Sequence, residues 1–423
     1  MAGPQYDEPM TKTGGGAATP SEEEFARDAE AFLTAHAKPR AEEKTVFGVG
    51  SDEIAVLPER TAEEEAREVA EAKAWAMKVF DAGFGWITGP ARYGGRELPS
   101  SYQRLYNSIE ARFDTPSQAV RGIGLGMIAP TILAHGTEGA KERYLRALWR
   151  GDIIACQLFS EPGAGSDLAS LQTRAVQDGE EWVVNGQKVW TSGAQYSDIG
   201  EIICRTDADL PKHKGLTAFV LDMRAPGVEV RPLRQMTGGA SFNEVFLTDV
   251  RIPADDLLGD LNGGWTVALT TLMNERAAIG GGLGGSSGGS GSLHRLFDLA
   301  RHFGATSNPL MRQRLADAWI NVQVARYNND RALARIRAGQ LPGPELSIAK
   351  LSLTENMRRM AELAADILGP RLTADTGEWG TYAWSRFLLG VPGMRVAGGT
   401  DEVMRNIIGE RVLGLPKEPA PKA

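Results

Sequence analysis

Where the chain first acquires a pattern, Phe25, Ala29, Phe32 and Leu33 recur at helical spacing. They follow Ser21 and Glu24, a serine and glutamate three residues apart that read as a capping box. The same periodicity predicts helices over 61–80, 101–113, 124–134 and 139–149. Residues 1–20, rich in Gly, Pro and polar residues, lack an apolar face and read as a mobile tail. Near Cys156 the period changes. GEEWVVNGQKVWTSG places Asn185 and Gly186 between two strand-like runs, which predicts a hairpin turn there. EIICRT, GLTAFVLDM, GVEVRPL and NEVFLTDVRIP continue the strand pattern to Pro253. From Trp265 helices return: one around Glu275, then 310–338, 344–368 and 401–413, long enough for an antiparallel bundle.

This α, β, α order predicts an α+β protein. Its parts are a disordered tail over 1–20, an N-terminal helical domain over 21–154, a central β-barrel or sandwich over 155–262, a C-terminal helical bundle over 263–414 and a tail over 415–423. The glycine-rich run 280–291 reads by composition as a flexible linker.

Composition narrows the class. With 42% hydrophobic and 24% charged residues in 423, the chain has the make-up of a folded protein with sizeable cores. Its 46 basic residues against 54 acidic ones give a net charge of -8 without a basic cluster, which disfavours nucleic acid and anionic membrane as partners. No apolar run approaches the roughly 20 residues that cross a bilayer. Cys156 and Cys204 could pair only with each other, and the N-terminus lacks a secretory pattern, so a reduced, cytoplasmic protein is expected.

Several chemistries find little support. There is no CxxC or HExxH, and the five histidines show no metal-ligand spacing. The glycines of GFGWITG and PGAGSD do not sit between a strand and a helix of a βαβ unit, so no Rossmann site is expected. Ser166 is outside any GxSxG, and no histidine is placed to act as its base. Glu275 shares a helical face with Ala268, Leu272 and Ile279. A glutamate on an apolar stripe is ordinarily one that reaches solvent or a neighbouring cation.

The run CQLFSEPGAGSDLASLQTRAVQDGEEWVVNGQKVWTSG (156–193) resembles the acyl-CoA dehydrogenase family. So do PARYGG, HGTEGAKERYL, GVEVRPL, FNEVFLTDVRIP, LNGGW and GGTDEVMRNIIGERVLGLP, which keep the family's order from Ser21 to Pro416. The resemblance implies FAD as cofactor, held between the β-domain and a C-terminal four-helix bundle and completed by a neighbouring subunit. It implies an acyl-CoA substrate within lipid and fatty acid metabolism and an electron-transfer flavoprotein as acceptor. A homotetramer built as a dimer of dimers is expected, with a heterotetramer as the alternative.

By motif position, Gln157, Phe159, Ser160, Trp190 and Ser192 resemble residues around the flavin ring, and Gly165 and Ser166 resemble positions close to flavin or acyl-CoA. Thr400 and Glu402 match positions near the adenosine. Arg301 and Gln313 resemble residues that reach FAD across the subunit interface, although their spacing is altered. Where the family commonly has Gln, an aromatic and two glycines, this chain reads Asp366, Ile367, Leu368, Gly369, Pro370.

In the family a carboxylate removes the α-proton while the β-hydrogen leaves as hydride to flavin N5. The usual base position, before Gly-Thr, is Gly398 here. Members that depart from this pattern carry a Glu followed by Arg on the first helix of the C-terminal domain, which matches Glu275 and Arg276. The resemblance therefore implies Glu275 as the base, Arg276 beside the substrate, and the Gly398 backbone N–H as a donor to the thioester carbonyl. Partial burial of Glu275 on its stripe would raise its pKa toward the working pH. Loss of a side chain at 398 suggests a bulky, branched or long acyl group. The glycine-rich 280–291 run, just after the base, has an acyl-pocket loop as its alternative reading. A non-catalytic partner subunit of a heteromeric dehydrogenase, a flavin oxidase and a DNA-associated relative are the competing readings; the acidic charge disfavours the last.

Overall fold

A computed structural model describes residues 19–41, 47–56, 59–280, 290–337 and 343–417. The described residues divide into two compact units, one within 1–41 and 82–115, the other within 42–81 and 116–423. The smaller unit holds α1 (Glu22–His36) and α3 (Ser100–Glu110) with the short pair β1 (Lys38–Pro39) and β2 (Phe113–Asp114). Ser21 caps α1 and Glu24 completes the capping box. Phe25, Ala29 and Leu33 are buried, with Phe25 edge-on to Phe84 and Tyr102.

The larger unit begins with α2 (Ala62–Asp81) and continues through a π-helical turn (Gly124–Ile128) into α4 (Ala129–His135) and α5 (Glu138–Arg150). Then comes an eight-stranded sheet: β3 (Ala155–Leu158), β4 (Arg174–Asp178), β5 (Glu181–Ser192), β6 (Ile199–Arg205), β7 (Leu216–Asp222), β8 (Val228–Leu233), β9 (Phe242–Pro253) and β10 (Leu257–Leu258). Its order is β10-β7-β6-β4-β5-β9-β8, and β3 lies parallel to β6. One face buries Cys156, Leu158, Ile202, Cys204, Phe219 and Leu221 in a common core, where both cysteines remain free thiols.

Asn185 and Gly186 do not form the expected hairpin turn. β5 runs straight through them, with a register shift between Val184 and Gly186 where it pairs with β9. The Asn185 amide donates to Asp249 Oδ1 and its oxygen accepts the Asp249 N–H, so the side chain fastens the irregularity to β9. A Cβ on Gly186 would come within 2.4 Å of Thr173 Oγ1, so glycine is required by close approach rather than by a turn. The hairpin turn lies earlier, between β4 and β5, where Asp178 pairs with Glu181.

Helices then return as α6 (Gly264–Gly280), α7 (Ser290–His302), α8 (Pro309–Arg337), α9 (Leu346–Leu368), α10 (Ala383–Val396) and α11 (Asp401–Ile407). Helices α7 to α10 share a core of Leu293, Leu296, Leu315, Met357, Met360 and Phe387. Helix α6 packs against β6 and β7 of the sheet, against the π-helical turn and α4, and against α9. It thus joins the sheet to the bundle, and it carries Glu275. Of the glycine-rich 280–291 run, residues 281–289 lie outside the described residues, as do 1–18 of the N-terminal tail and 418–423 of the C-terminal one. No described helix is long and apolar enough to cross a membrane.

Candidate active site

The site is built outward from β3. The chain leaves β3 through Phe159, Ser160 and Glu161, and then reverses over Pro162 and Gly163, with Glu161 and Ala164 exchanging both backbone hydrogen bonds at 3.0 Å. Beneath this turn the fully buried Lys188 of β5 donates to Phe159 O at 3.0 Å, Ile203 O at 2.8 Å and Glu161 Oε1 at 2.9 Å. Three acceptors match the three N–H bonds of a charged ammonium. Glu161 also accepts the backbone N–H groups of Gln172 and Thr173 at 2.6 and 2.8 Å. Burial pushes its carboxyl up, but Lys188 and these donors outweigh burial and hold it below the usual carboxylate range.

The ion pair fixes β5 against the turn just before Trp190, and the Val189 N–H bonds Ser160 O at 2.9 Å. A second register irregularity between Lys188 and Thr191 places Trp190 at a left-handed φ of 61°. Its side chain is 61% exposed, edge-on to Phe242 at 6.0 Å. An indole turned outward by strained backbone offers a broad flat surface. Nearby, Phe159 is buried and Ser160 and Ser192 half-buried, while Gly165 and Ser166 are exposed. A Cβ at 165 would meet nothing within 4 Å, so the fold itself does not require glycine there.

The other face of β3 and β6 is covered by helices. Gln157 and Glu201 are register partners on these parallel strands. Gln157 Nε2 and Glu201 Oε2 are both buried without a hydrogen-bond partner among the described residues. Glu201 Oε1 lies 2.7 Å from Thr271 Oγ1 of α6, which lies 2.9 Å from Thr131 Oγ1 of α4, and this hydroxyl meets Met127 O at 2.8 Å. Burial raises the Glu201 carboxyl to about 8. Glu275, half-buried, stands one helical turn beyond Thr271, on the same face of α6. Arg276 follows it in the helix, and its side chain lies outside the described residues.

The C-terminal elements bring a tight turn toward α9. Gly398 and Gly399, at φ of 65° and 93°, lead into Thr400, which caps α11 by accepting the Val403 N–H. The turn is anchored by buried Asp401, which accepts from Lys350 at 3.0 Å, Thr354 at 2.8 Å and Arg395 at 2.7 Å. Burial pushes its carboxyl up, but these three donors outweigh that effect and keep it below the usual range. Glu402 is exposed. The remaining expected residues form a separate group on α7, α8 and α9. Arg301 pairs with Asp298, Asp366 with Arg314 at 2.6 Å, and Gln313 borders a cavity of about 340 Å³ with Arg359 and Glu362. Gly369 ends α9 at a φ of 53°.

Three family models cover this arrangement. Residues 49–152, 156–250 and 262–413 match the N-terminal, middle and C-terminal domains of acyl-CoA dehydrogenase. The chain belongs to the acyl-CoA dehydrogenase family. IpdE1, an acyl-CoA dehydrogenase of Mycobacterium tuberculosis, is 39% identical over 82% of this chain and 89% of its own. Among solved structures, the Tcur3481-Tcur3483 steroid ACAD is 26% identical with a TM-score of 0.71, covering 94% of this chain and 98% of that one. The ChsE4-ChsE5 complex from Mycobacterium tuberculosis is also 26% identical, with a TM-score of 0.68, covering 95% and 99%.

As a member of this family of oxidoreductases, the chain presents residues that fit the family's FAD. The amide of Gln157 and the buried Thr191 Oγ1, neither with a partner among the described residues, can serve a polar ring edge, while exposed Trp190 can flank a ring face. Sequence reasoning missed the residues that hold this frame: Lys188, Glu161, Glu201, Thr271 and Asp401. The signal for Lys188 was a cation at a strand position whose neighbours alternate inward, where only an ion pair makes burial tolerable.

Proposed function

We propose that this chain catalyses FAD-dependent α,β-dehydrogenation of an acyl-CoA thioester, with Glu275 removing the α-proton. The observation that carries the reading is the position of Glu275. It is half-buried, on the helix that joins sheet to bundle, and one turn beyond the threonine linked through Glu201 to Gln157's strand. Bound FAD would supply the acceptor for the β-hydrogen as hydride. Gln157, Phe159, Ser160, Trp190 and Ser192 hold and orient its ring, Gly165 and Ser166 bound the approach of flavin and thioester, and Arg276 flanks the substrate. Thr400 and Glu402 serve the adenosine end. Arg301, Gln313, Asp366 and Gly369 serve the FAD of a neighbouring subunit.

Gly398 supports this division of roles. Its left-handed backbone suits glycine, and a carboxylate-bearing residue there would be strained. Its N–H remains to polarise the thioester carbonyl, so acidification of the α-carbon and its deprotonation come from different elements. The missing side chain leaves room for a bulky acyl group, and similarity to a structure titled as a steroid ACAD supports a ring-bearing one. Replacing Glu275 by Gln tests the reading: the variant is expected to retain flavin but to be bleached far more slowly by the acyl-CoA that bleaches the wild type.

The domain boundaries expected from the sequence, 21–154, 155–262 and 263–414, belong to this proposal. So do a cytoplasmic location, a tetrameric assembly and an electron-transfer flavoprotein as acceptor. A second reading, a non-catalytic subunit of a mixed assembly, is favoured by one observation: Asp366 is engaged by Arg314 of its own chain, at a position expected to serve a neighbour's cofactor. Purification without flavin when expressed alone would favour it.

A further inference from the structure

We propose that Glu201 is a neutral carboxylic acid that positions the helix carrying Glu275 against the strand carrying Gln157. The inference rests on the function proposed above only in naming Glu275 as the base.

The contacts that start at Glu201 fix how many protons they must hold. Three close oxygen contacts run in series: Glu201 to Thr271 at 2.7 Å, Thr271 to Thr131 at 2.9 Å, and Thr131 to Met127 O at 2.8 Å. Each needs one proton. Two threonine hydroxyls supply two, and Met127 O is an acceptor only. With Glu201 ionised, one contact therefore has no proton, and two oxygens face each other across it. With Glu201 protonated, the acid donates to Thr271, Thr271 to Thr131 and Thr131 to Met127 O, and all three contacts are satisfied in one direction. The approach of Thr271 to Val267 O, at 3.3 Å, is the longer alternative along its own helix.

The surroundings favour the same state. Glu201 is fully buried, and its strand neighbours are Gln157 and Val220, neither ionisable. The ionisable residues on β6 and the elements packed around it are Cys204 and Arg205 on β6 itself, Cys156 on β3, Arg174 and Asp178 on β4, Asp222 at the end of β7, Glu275 and Arg276 on α6 and His135 on α4. Arg205, at the strand's end, donates to Lys212 O and Ala169 O, and Cys204 lies in the opposite core. Cys156 faces the opposite core, and His135 is engaged by Thr270 at 2.8 Å with its pKa lowered by burial. Among the described residues none supplies a cation to offset a buried carboxylate.

The chain of contacts ties four elements: β6 through Glu201, α6 through Thr271, α4 through Thr131 and the π-helical turn through Met127. Thr271 and Glu275 lie one turn apart on α6, so whatever fixes the hydroxyl fixes the carboxylate's height and rotation over the sheet. The neutral acid does this without placing a negative charge beside Gln157.

Infrared difference spectroscopy of the purified holoenzyme at neutral pH, wild type minus Glu201→Gln, tests the protonation. The expected result is a carboxylic-acid C=O band, shifted in deuterium oxide and absent from the variant. Hydrogen exchange of the peptide spanning 264–275 tests the positioning. Thr271→Val and Glu201→Leu are expected to raise exchange there on the order of tenfold, and Glu201→Gln, which keeps a donor and an acceptor, to restore protection. If Glu201→Leu fails to fold, Thr271→Val decides alone. No acid band, or exchange unchanged in Thr271→Val, overturns the proposal. Continued flavin bleaching in Glu275→Gln would instead overturn the assignment of the base and leave both of these readouts intact.

Discussion

Gln157 and Glu201 stand side by side on parallel strands, and each keeps one buried polar atom that no described group satisfies. The two differ in what is open. Gln157 offers an N–H for a ring edge. Glu201 has spent its other oxygen on the helix of the proposed base. On the proposed assignments, the residue that serves the flavin and the residue that positions the base share one register position of the sheet.

The raised pKa of Glu201 makes a stability prediction with a definite sign. Its folded value of about 8 lies above its ordinary value of 4.5, so between these the folded state binds more protons than the unfolded one. The group's contribution is therefore fully present below about pH 4.5 and is lost as pH rises to about 8, by at most about 1.4 kcal/mol per pH unit. Glu201→Gln lacks this titration. Urea unfolding at about pH 5 and about pH 8 is expected to show the variant gaining on the wild type at the higher pH. Parallel changes in both proteins would contradict the burial effect.

Lys188→Met removes one member of a buried ion pair and leaves Glu161 facing the sheet interior. The expected cost is on the order of 3–5 kcal/mol, measured by chemical denaturation. Flavin content is expected to fall as well, because Lys188 also holds the Phe159 carbonyl.

At Gly398 an added Cβ meets a left-handed backbone. Gly398→Ala is expected to destabilise by about 1–2 kcal/mol, read from thermal or urea unfolding. An unchanged midpoint would show that the turn relaxes freely.

The proposed acyl preference predicts that ring-bearing CoA thioesters outperform butanoyl-CoA and other short straight chains in kcat/KM. Best turnover with butanoyl-CoA would sink this part of the reading.

What the sequence revealed depended on range. The Ser21 cap and the Phe25, Ala29, Leu33 stripe are local features and appear as expected, because a 3.6-residue period needs no tertiary partner to be seen. Asn185–Gly186 was misleading for the same reason: the dipeptide favours a turn locally, but β9 and Thr173 decide its geometry. Helix α10 was hidden by Gly390, Pro392 and Gly393, which argue against a helix that bundle packing nonetheless sustains. Glu201 read as the start of a strand, EIICRT. The strand actually begins at Ile199, which puts the carboxyl inside, and only the threonines brought in by α4 and α6 give it a role. Motif likeness supplied Glu275, Gln157 and Gly398 as candidates, whereas the ion pairs behind them came from contacts between residues distant in sequence.

The most direct test of the account is anaerobic titration of wild-type protein and Glu275→Gln with ring-bearing acyl-CoA thioesters, following the visible flavin bands. The account predicts bleaching in the wild type and, in the variant, retained flavin with bleaching slowed by at least about a hundredfold. Equal bleaching in both would mean that another group removes the α-proton and would contradict the central claim.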